Sequence, residues 1–538
     1  MEILNKEHTI AGAEFNRWLL PPAALAIHLC IGMAYGFSVF WLPLSKALGV
    51  SKSIACSTPM SFVDQLTTRT CDWYLSTLGW MYALFFVFLG LSAAIWGGWL
   101  ERAGPRKAAV VSALCWCGGL LFSAWGVALH QFWMLMLGSG VIGGIGLGLG
   151  YISPVSTLIK WFPDRRGMAT GMAIMGFGGG AMIGAPLAEI LMNYFATDIN
   201  VGVVQTLMVL SIVYFVYMMG GAFTYRIPSS DWKPQHWTAP LATAHQSFQR
   251  SVHAKRVWRI PQFWLLWIVL CMNVSAGIGV IGMASPMLQE VFGGQLIGIH
   301  LSFTQLNASQ LSEIAGAAAG FAALLSLFNI GGRFFWASLS DMIGRKITYF
   351  IFFILGACLY ISASLSAQTV HLSLFVAALC VIVSMYGGGF ATVPAYLADL
   401  FGTQMVGAIH GRLLTAWSTA GILGPLVVNY MREYQLSLGI ARERVYNQTM
   451  YILAGMLIIG LIANALIRPI DDRWLMSDEE LIAEKKLAHE KVMSLLVQNS
   501  GRSEKTSTIM LVLAWSAVGL PMCWGIYETV LRSMRLFI

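Results

Sequence analysis

Arg333 is a cation in a place where cations are rare. It is the one charged residue of the apolar run 314–340 and precedes Asp341 by eight positions, which puts it about 12 Å inside a helix end at a rise of about 1.5 Å per residue. A charge at the centre of a membrane helix costs about 2.5–3.5 kcal/mol, so it is rarely kept without a purpose. A guanidinium there can bind a carboxylate through two N–H groups. The alternative is a snorkelling arginine or one paired within the protein.

Two further polar side chains lie near the middle of apolar runs. Asn329 precedes Arg333 by four residues and shares its helix face. An amide takes up no proton, so this pair leaves the region positive and suits an anion. His28 has no charged residue near it in the sequence, and we interpret it as a hydrogen-bonded packing residue, with a proton relay as the alternative.

The composition defines the surroundings of these residues. Of 538 residues, 57% are hydrophobic and 11% are charged, whereas a soluble domain carries about 25% charged residues. Lipid must therefore cover much of the surface. The net charge of +8 resides in short clusters between apolar runs, which is typical of membrane loops and argues against a nucleic-acid partner.

Charge-poor runs predict an all-α membrane protein with twelve crossings. The runs are 18–45, 73–100, 108–159, 167–188, 199–225, 260–289, 314–340, 347–398, 413–430 and 445–467, of which the two 52-residue runs hold two crossings each. A thirteenth run, 506–527, predicts an extra C-terminal transmembrane helix. The predicted units are a six-helix half (1–225), a cytoplasmic linker (226–259), a second half (260–468), a charged cytoplasmic tail (469–505) and the extra helix (506–538).

The distribution of Lys and Arg predicts the orientation. Most loop cations fall on one side of this threading, so we expect that side and the N-terminus to be cytoplasmic, in an inner (plasma) membrane. The first loop and the loop around residues 432–444 are exceptions. The first loop holds Cys56 and Cys71, which can pair if it faces an oxidising compartment, and the sequence leaves that pairing open.

The two halves repeat each other. Residues 97–107 (GGWLERAGPRK) correspond to 337–346 (ASLSDMIGRK) at an offset of 240, and residues 148–167 correspond to 387–407 at an offset of 239. Six plus six helices with a polar linker between them indicate a parallel duplication about an axis along the membrane normal. Glycine-rich stretches such as 138–150 fit close helix packing better than a nucleotide loop.

These repeated turns resemble the signature G-x-x-x-D-x-x-G-R-K of the major facilitator superfamily. The resemblance implies a gating role for the acids and cations of both copies: Glu101, Arg106 and Lys107 in the first, and Asp341, Arg345 and Lys346 in the second. An acid at a helix end there meets cations and a neighbouring helix dipole and holds one conformation. The first copy departs from the pattern by having Glu for Asp and an inserted Pro105, and the second has Ala337 for the leading Gly.

Within that superfamily, segments 148–171, 273–287, 329–346 and 390–402 resemble the oxalate/formate antiporter family and its monocarboxylate-transporter relatives, over about residues 15–468. The resemblance implies alternating access, as antiport or proton symport, and binding roles for Tyr35, Tyr151, Phe390 and Tyr396. Asn329 stands where related carriers often have a proton-binding Asp. Trp417 occupies the middle of helix eleven, where oxalate carriers have Lys. One buried cation therefore favours a monocarboxylate such as formate, lactate or pyruvate over oxalate.

Two other classes of protein remain as alternatives. A membrane sensor with a transporter fold that reports a carboxylate through the tail is the second hypothesis. A membrane-embedded enzyme ranks last, because the sequence shows no Ser/His/Asp or His/Glu cluster near an aqueous face. We expect no cofactor and no metal. The expected partners are the lipid bilayer, a small carboxylate, and a proton or counter-anion for coupling.

Overall fold

The computed structural model describes residues 2–12, 14–50, 54, 56, 60–73, 75–229, 232–234, 251–369, 371–477, 479–481 and 506–533. The greater part of the predicted linker (235–250) and of the predicted tail (482–505) lies outside the described residues.

Thirteen helices of more than ten residues occupy the described part of the chain. They are α1 (Leu20–Ile31), α2 (Leu75–Ala103), α3 (Pro105–Ala128), α4 (Gly144–Trp161), α5 (Arg166–Phe195), α6 (Val203–Thr224), α7 (Pro261–Phe292), α8 (Ala308–Ile343), α9 (Arg345–Gln368), α10 (Leu372–Phe401), α11 (Thr415–Ser437), α12 (Asn447–Leu466) and α13 (Thr508–Ser533). Helices α1–α6 correspond to the first predicted half of the chain and α7–α12 to the second.

Twelve of the described helices are long and apolar enough to cross a membrane, and α13 is among them. Helix α11 is not, because it carries Arg432, Glu433 and several polar residues. It is nevertheless 23 residues long and packs between α2 and α7. A lipid environment favours this architecture, because a helix satisfies most of its backbone groups within itself.

Three crossings are less regular than the apolar runs suggest. Helix α1 ends at Ile31 and resumes as Met33–Gly36, followed by a 3-10 turn, Phe37–Phe40. Helix α4 is preceded by a π-helical segment, Met136–Gly143, so that its crossing extends over Phe132–Trp161. A short helix, Val406–Leu413, precedes α11.

The two signature turns have the same backbone shape. Gly104 joins α2 to α3 with φ of 91° and Gly344 joins α8 to α9 with φ of 90°. Only glycine adopts this region without strain, which explains why both copies place glycine at this point. Pro105 follows at the first position of α3, where its missing N–H costs nothing. We call the face of the bundle that carries these turns the basic face.

The opposite face carries the first loop. Cys56 and Cys71 form a disulfide there, which resolves the pairing that the sequence left open. Beside it the Asp72 carboxylate accepts hydrogen bonds from the backbone N–H groups of Leu48 (2.7 Å) and Ile54 (2.8 Å). The loop is therefore fastened both covalently and by a buried carboxylate.

Helix α13 crosses in the same direction as α1. It begins beside the start of α1, where Trp515 Nε1 donates to the Trp18 carbonyl at 3.1 Å, and Val518 packs against Leu25 and Leu29. Further along, Gly525 approaches Ile183 of α5. Because α13 contacts α1 and α5 of one half and α8 of the other, it covers the line along which the halves meet.

Candidate functional site

Arg333 lies at the centre of the bundle and is fully buried. Its Nε donates to Asn329 Oδ1 at 3.0 Å, the i to i−4 contact that the spacing predicts, and its Nη1 donates to the carbonyl oxygen of Ile174 in α5 at 3.0 Å. Its Nη2 has no hydrogen-bond partner among the described residues. One edge of a buried guanidinium is therefore left for a further acceptor.

Two phenyl rings enclose this guanidinium. Its central carbon lies 5.8 Å from the ring centre of Phe177 in α5 and 5.6 Å from that of Phe390 in α10. Both distances are within the range of a cation–π interaction, which strengthens when water is excluded. The rings hold the cation from the two halves of the protein, so the site lies on their boundary.

Aromatic residues from both halves extend this enclosure into one box. Tyr35 packs edge-on against Phe177 with ring centres 4.9 Å apart, and its hydroxyl shares a 2.6 Å hydrogen bond with the hydroxyl of Tyr386. Trp417 of α11 packs 4.2 Å from Phe390 and 5.1 Å from Tyr151. Tyr151 and Phe390 occupy equivalent positions in the two halves and contact each other at 6.4 Å.

Several polar atoms of the box lack partners. The Tyr151 hydroxyl and Trp417 Nε1 are buried with no hydrogen-bond partner among the described residues, and so is Nε2 of His410, whose ring lies 5.9 Å from that of Tyr151. Each such group costs about 1–3 kcal/mol when it is left unsatisfied. Buried donors around a guanidinium with a free edge suit a small anion with several acceptor atoms.

The structure brings six of the seven predicted binding residues together. These are Arg333, Asn329, Tyr35, Tyr151, Phe390 and Trp417. Tyr396 is not brought to the box: its ring lies beside Tyr349 at 5.9 Å, and its hydroxyl donates to Asn464 Oδ1 at 3.4 Å, within the second half.

Three box residues were missed from the sequence. Phe177 lies in a glycine-rich segment of α5, whose composition indicates helix packing, and His410 lies in the short helix before α11, outside the predicted apolar runs. Tyr386 precedes Phe390 by four residues on the same face of α10, and that spacing was a usable signal.

The predicted gating residues of the second turn connect the two halves. The Asp341 carboxylate accepts hydrogen bonds from the backbone N–H groups of Gly167 and Met168, at 3.1 Å each, in the first turn of α5. Arg345 pairs with Asp341 at 2.5 Å and with Asp399 at 3.3 Å. A carboxylate at a helix N-terminus is stabilised by the helix dipole, so this contact fastens α8 to α5 on the basic face.

The cations at equivalent positions of the two turns have equivalent partners. Lys346 donates to the carbonyl oxygens of Ala465 (3.1 Å) and Ile467 (2.7 Å) at the end of α12. Arg106, 240 positions earlier, donates to Tyr225 O (3.1 Å) at the end of α6. Lys107 is half-buried in the first turn of α3. The side chain of Glu101 is outside the described part of the structure.

No metal site emerges from the described side chains, since no group of three or more His, Cys, Asp or Glu lies close enough to hold an ion. The groups present at the centre are a guanidinium, hydrogen-bond donors and aromatic rings, which suit recognition of an anion.

The sequence is similar to those of known membrane proteins. The model of the Major Facilitator Superfamily matches residues 25–425. The oxalate:formate antiporter of Oxalobacter formigenes is 23% identical over 410 residues, covering 76% of this chain and 83% of the relative. Apicoplast pyruvate carrier 1 of Toxoplasma gondii is 23% identical over 452 residues, covering 72% of this chain and 78% of the carrier.

Solved structures agree on the fold. A proton:xylose symporter bound to 6-bromo-6-deoxy-D-glucose superposes with a TM-score of 0.59 at 13% identity, covering 86% of this chain and 98% of the symporter. At this identity the likeness concerns the fold alone, and it confirms the predicted twelve-helix architecture.

Proposed function

We propose a specific cargo from one premise: the chain belongs to the major facilitator superfamily and is a multi-pass membrane transporter rather than an enzyme. The cargo is a small carboxylate anion, a monocarboxylate in preference to oxalate, carried by alternating access. The observation that carries this proposal is the buried Arg333 guanidinium, whose Nη2 edge has no partner among the described residues.

The number of cations at the centre supports a single carboxylate. Of the described Lys and Arg side chains, Arg333 is the one that lies over rings of the box. A second carboxylate on the same cargo would be buried without a cation, and an isolated buried charge is costly. The aromatic walls provide apolar area for the short carbon chain of lactate or pyruvate.

The contacts between the halves support a rocking mechanism. Two contacts between the halves lie on the basic face. One is the contact of Asp341 with the start of α5, and the other is the packing of Gly97 of α2 on Ala408, where a Cβ added at the glycine would lie 3.3 Å from the Ala408 Cα. We take that face as cytoplasmic in an inner membrane, with the N-terminus on the same side, because Lys and Arg concentrate there and the Cys56–Cys71 disulfide lies on the other. Opening these contacts would expose Arg333 to the cytoplasm, with transport running as anion exchange or proton symport.

Radiolabelled uptake into proteoliposomes tests the proposal. The panel is formate, acetate, lactate, pyruvate and oxalate, for the wild type, Arg333→Ala and a matched control, Arg259→Ala, which removes an exposed arginine at the start of α7. We expect saturable uptake of at least one monocarboxylate, lost in Arg333→Ala and retained in Arg259→Ala.

Unchanged uptake in Arg333→Ala would show that the guanidinium does not bind the cargo. If the wild type takes up none of the five anions, the carboxylate proposal is overturned. That result would also promote the sensor hypothesis.

A further inference from the structure

His28 is a buried imidazole with two acceptors around it. The ring lies between α1, α4 and α5 and is fully shielded from solvent. Its Nδ1 contacts the carbonyl oxygen of Ala173 in α5, and its Nε2 lies 3.2 Å from the carbonyl oxygen of Tyr151 in α4. A neutral imidazole has a single N–H, so it satisfies one carbonyl and turns a lone pair to the other. The imidazolium has two N–H groups and satisfies both.

Arg333 opposes that second proton. Its Nη1 donates to the carbonyl oxygen of Ile174, which follows Ala173 in α5. Arg333 and His28 therefore contact the carbonyl groups of two consecutive residues of one helix. Phe177 contacts both, with its ring centre 6.5 Å from that of His28 and 5.8 Å from the Arg333 guanidinium carbon. Two cations this close repel strongly in a low dielectric. Burial is the first factor that keeps His28 neutral, and the charge of Arg333 adds to it. An anion on Arg333 removes the part of this penalty that is due to Arg333.

The other groups around His28 do not take over this role. Helix α4 presents Tyr151, with ring centres 5.5 Å apart, and α5 presents Phe177 and the backbone around Gly176. Two other helices contact α1 at turns beside that of His28. Tyr214 of α6 lies near Cys30, and Val518 of α13 packs on Leu25 and Leu29. Among the described residues none of these contacts is a carboxylate. Tyrosine and arginine change charge far above neutral pH, so the imidazole is the group that can exchange a proton there.

We propose that His28 is the proton-binding site of this carrier and takes up one proton when a carboxylate occupies Arg333. The inference rests on the proposed function and specifies its coupling as one-to-one proton symport. The proton comes from water on the side to which the site is open, binds the imidazole nitrogen that lacks one, and leaves with the anion on the other side. No other bond forms or breaks.

The charge balance gives this proposal a second consequence. The empty site carries +1 from Arg333. The loaded site carries +1 from Arg333, +1 from His28 and −1 from the anion, which again sums to +1. The carrier therefore crosses with the same charge loaded and empty, and transport is electroneutral. Asn329, which accepts from Arg333 Nε and takes up no proton, does not alter this sum.

Proteoliposomes with a trapped pH dye test the coupling on the wild type alone, with whichever monocarboxylate of the panel gives counterflow. One proton should enter per anion. A gradient of one pH unit should drive about tenfold accumulation, and a potassium–valinomycin potential should have no effect. Uptake driven by the potential, or anion flux without proton flux, would overturn the proposal.

The variant His28→Gln separates the proposed proton binding by His28 from anion transport. Glutamine keeps one donor and one acceptor and binds no proton, so anion counterflow at equal pH should stay within about twofold of wild type while gradient-driven accumulation disappears. His300→Gln, which changes an exposed imidazole between α7 and α8, should retain gradient-driven accumulation. Proton-coupled accumulation that persists in His28→Gln would overturn the assignment. An absence of counterflow in the wild type for every anion would instead overturn the proposed function and this coupling with it.

Discussion

The two halves meet along two lines of contact that are built differently. The polar seam joins α5 to α8, where Asp341 caps the start of α5 and Arg333 donates to Ile174 O. The glycine seam joins α2 to Val406–Leu413 and α11, where Gly90 approaches Ser418 and Gly411 approaches Ala93. Glycines pack closely in both seams, since a Cβ at Gly171 of α5 would lie 2.9 Å from the carbonyl oxygen of Arg333. The first seam adds charged contacts to this packing.

The difference indicates a division of labour. An anion bound to Arg333 changes the electrostatics of the polar seam directly, because the Arg333 guanidinium itself makes a hydrogen bond from α8 to α5. The glycine seam responds only to shape, since its main polar contact is the Ser418 hydroxyl donating to Phe86 O at 2.6 Å. We expect the polar seam to sense the cargo and the glycine seam to permit close approach on the basic face. Helix α13 covers the polar seam, which adds lipid-facing protection to the side that carries the charges.

Of the two seams, the larger effect is expected from filling the glycine seam. A Cβ at Gly90 would collide with the Ser418 hydroxyl and the Leu414 backbone carbonyl. Overpacking of this kind costs about 1–3 kcal/mol, so Gly90→Ala should slow carboxylate uptake about tenfold by disfavouring closure on the basic face. Gly98→Ala is the matched control, because a Cβ at Gly98 of the same helix meets nothing within 4 Å. Equal uptake by the two variants would show that the glycine seam does not limit closure.

A smaller effect is expected from neutralising the polar seam. Asp341→Asn keeps an acceptor at the start of α5 and removes the charge that the helix dipole stabilises, worth about 0.5–1 kcal/mol. The amides of Gly167 and Met168 should then exchange hydrogen for deuterium about twofold to fivefold faster. The exposed Asp471→Asn serves as the control. Unchanged protection of the two amides would mean that the charge of Asp341 does not hold the seam.

The sequence was sufficient for the fold because lipid imposes simple rules. Charge-free runs locate the crossings, and the 239–240 offset between motifs pairs the halves. The Arg333–Asn329 contact also followed from spacing alone, since both residues lie on one helix. The break of α1 after Ile31 was missed, because every residue around it is apolar and hydropathy carries no signal there.

The site was less predictable because it is assembled from both halves. Spacing tells which residues share a face of one helix and is silent about the helix opposite. Phe177 and His410 reach the box only through inter-helix packing, and Tyr396 shares α10 with Phe390 while pointing toward Asn464. The two carbonyl acceptors of His28 likewise depend on the relative placement of α4 and α5.

Calorimetric titration of the purified protein with pyruvate, lactate and oxalate tests the central claim most directly, since it measures binding without transport. The wild type should bind one monocarboxylate per chain. Arg333→Ala should weaken that binding about a hundredfold or more, because truncating one partner of a buried charged pair costs about 2–5 kcal/mol. Equal affinity in the two proteins, or oxalate bound more tightly than either monocarboxylate, would contradict a site built on one buried guanidinium.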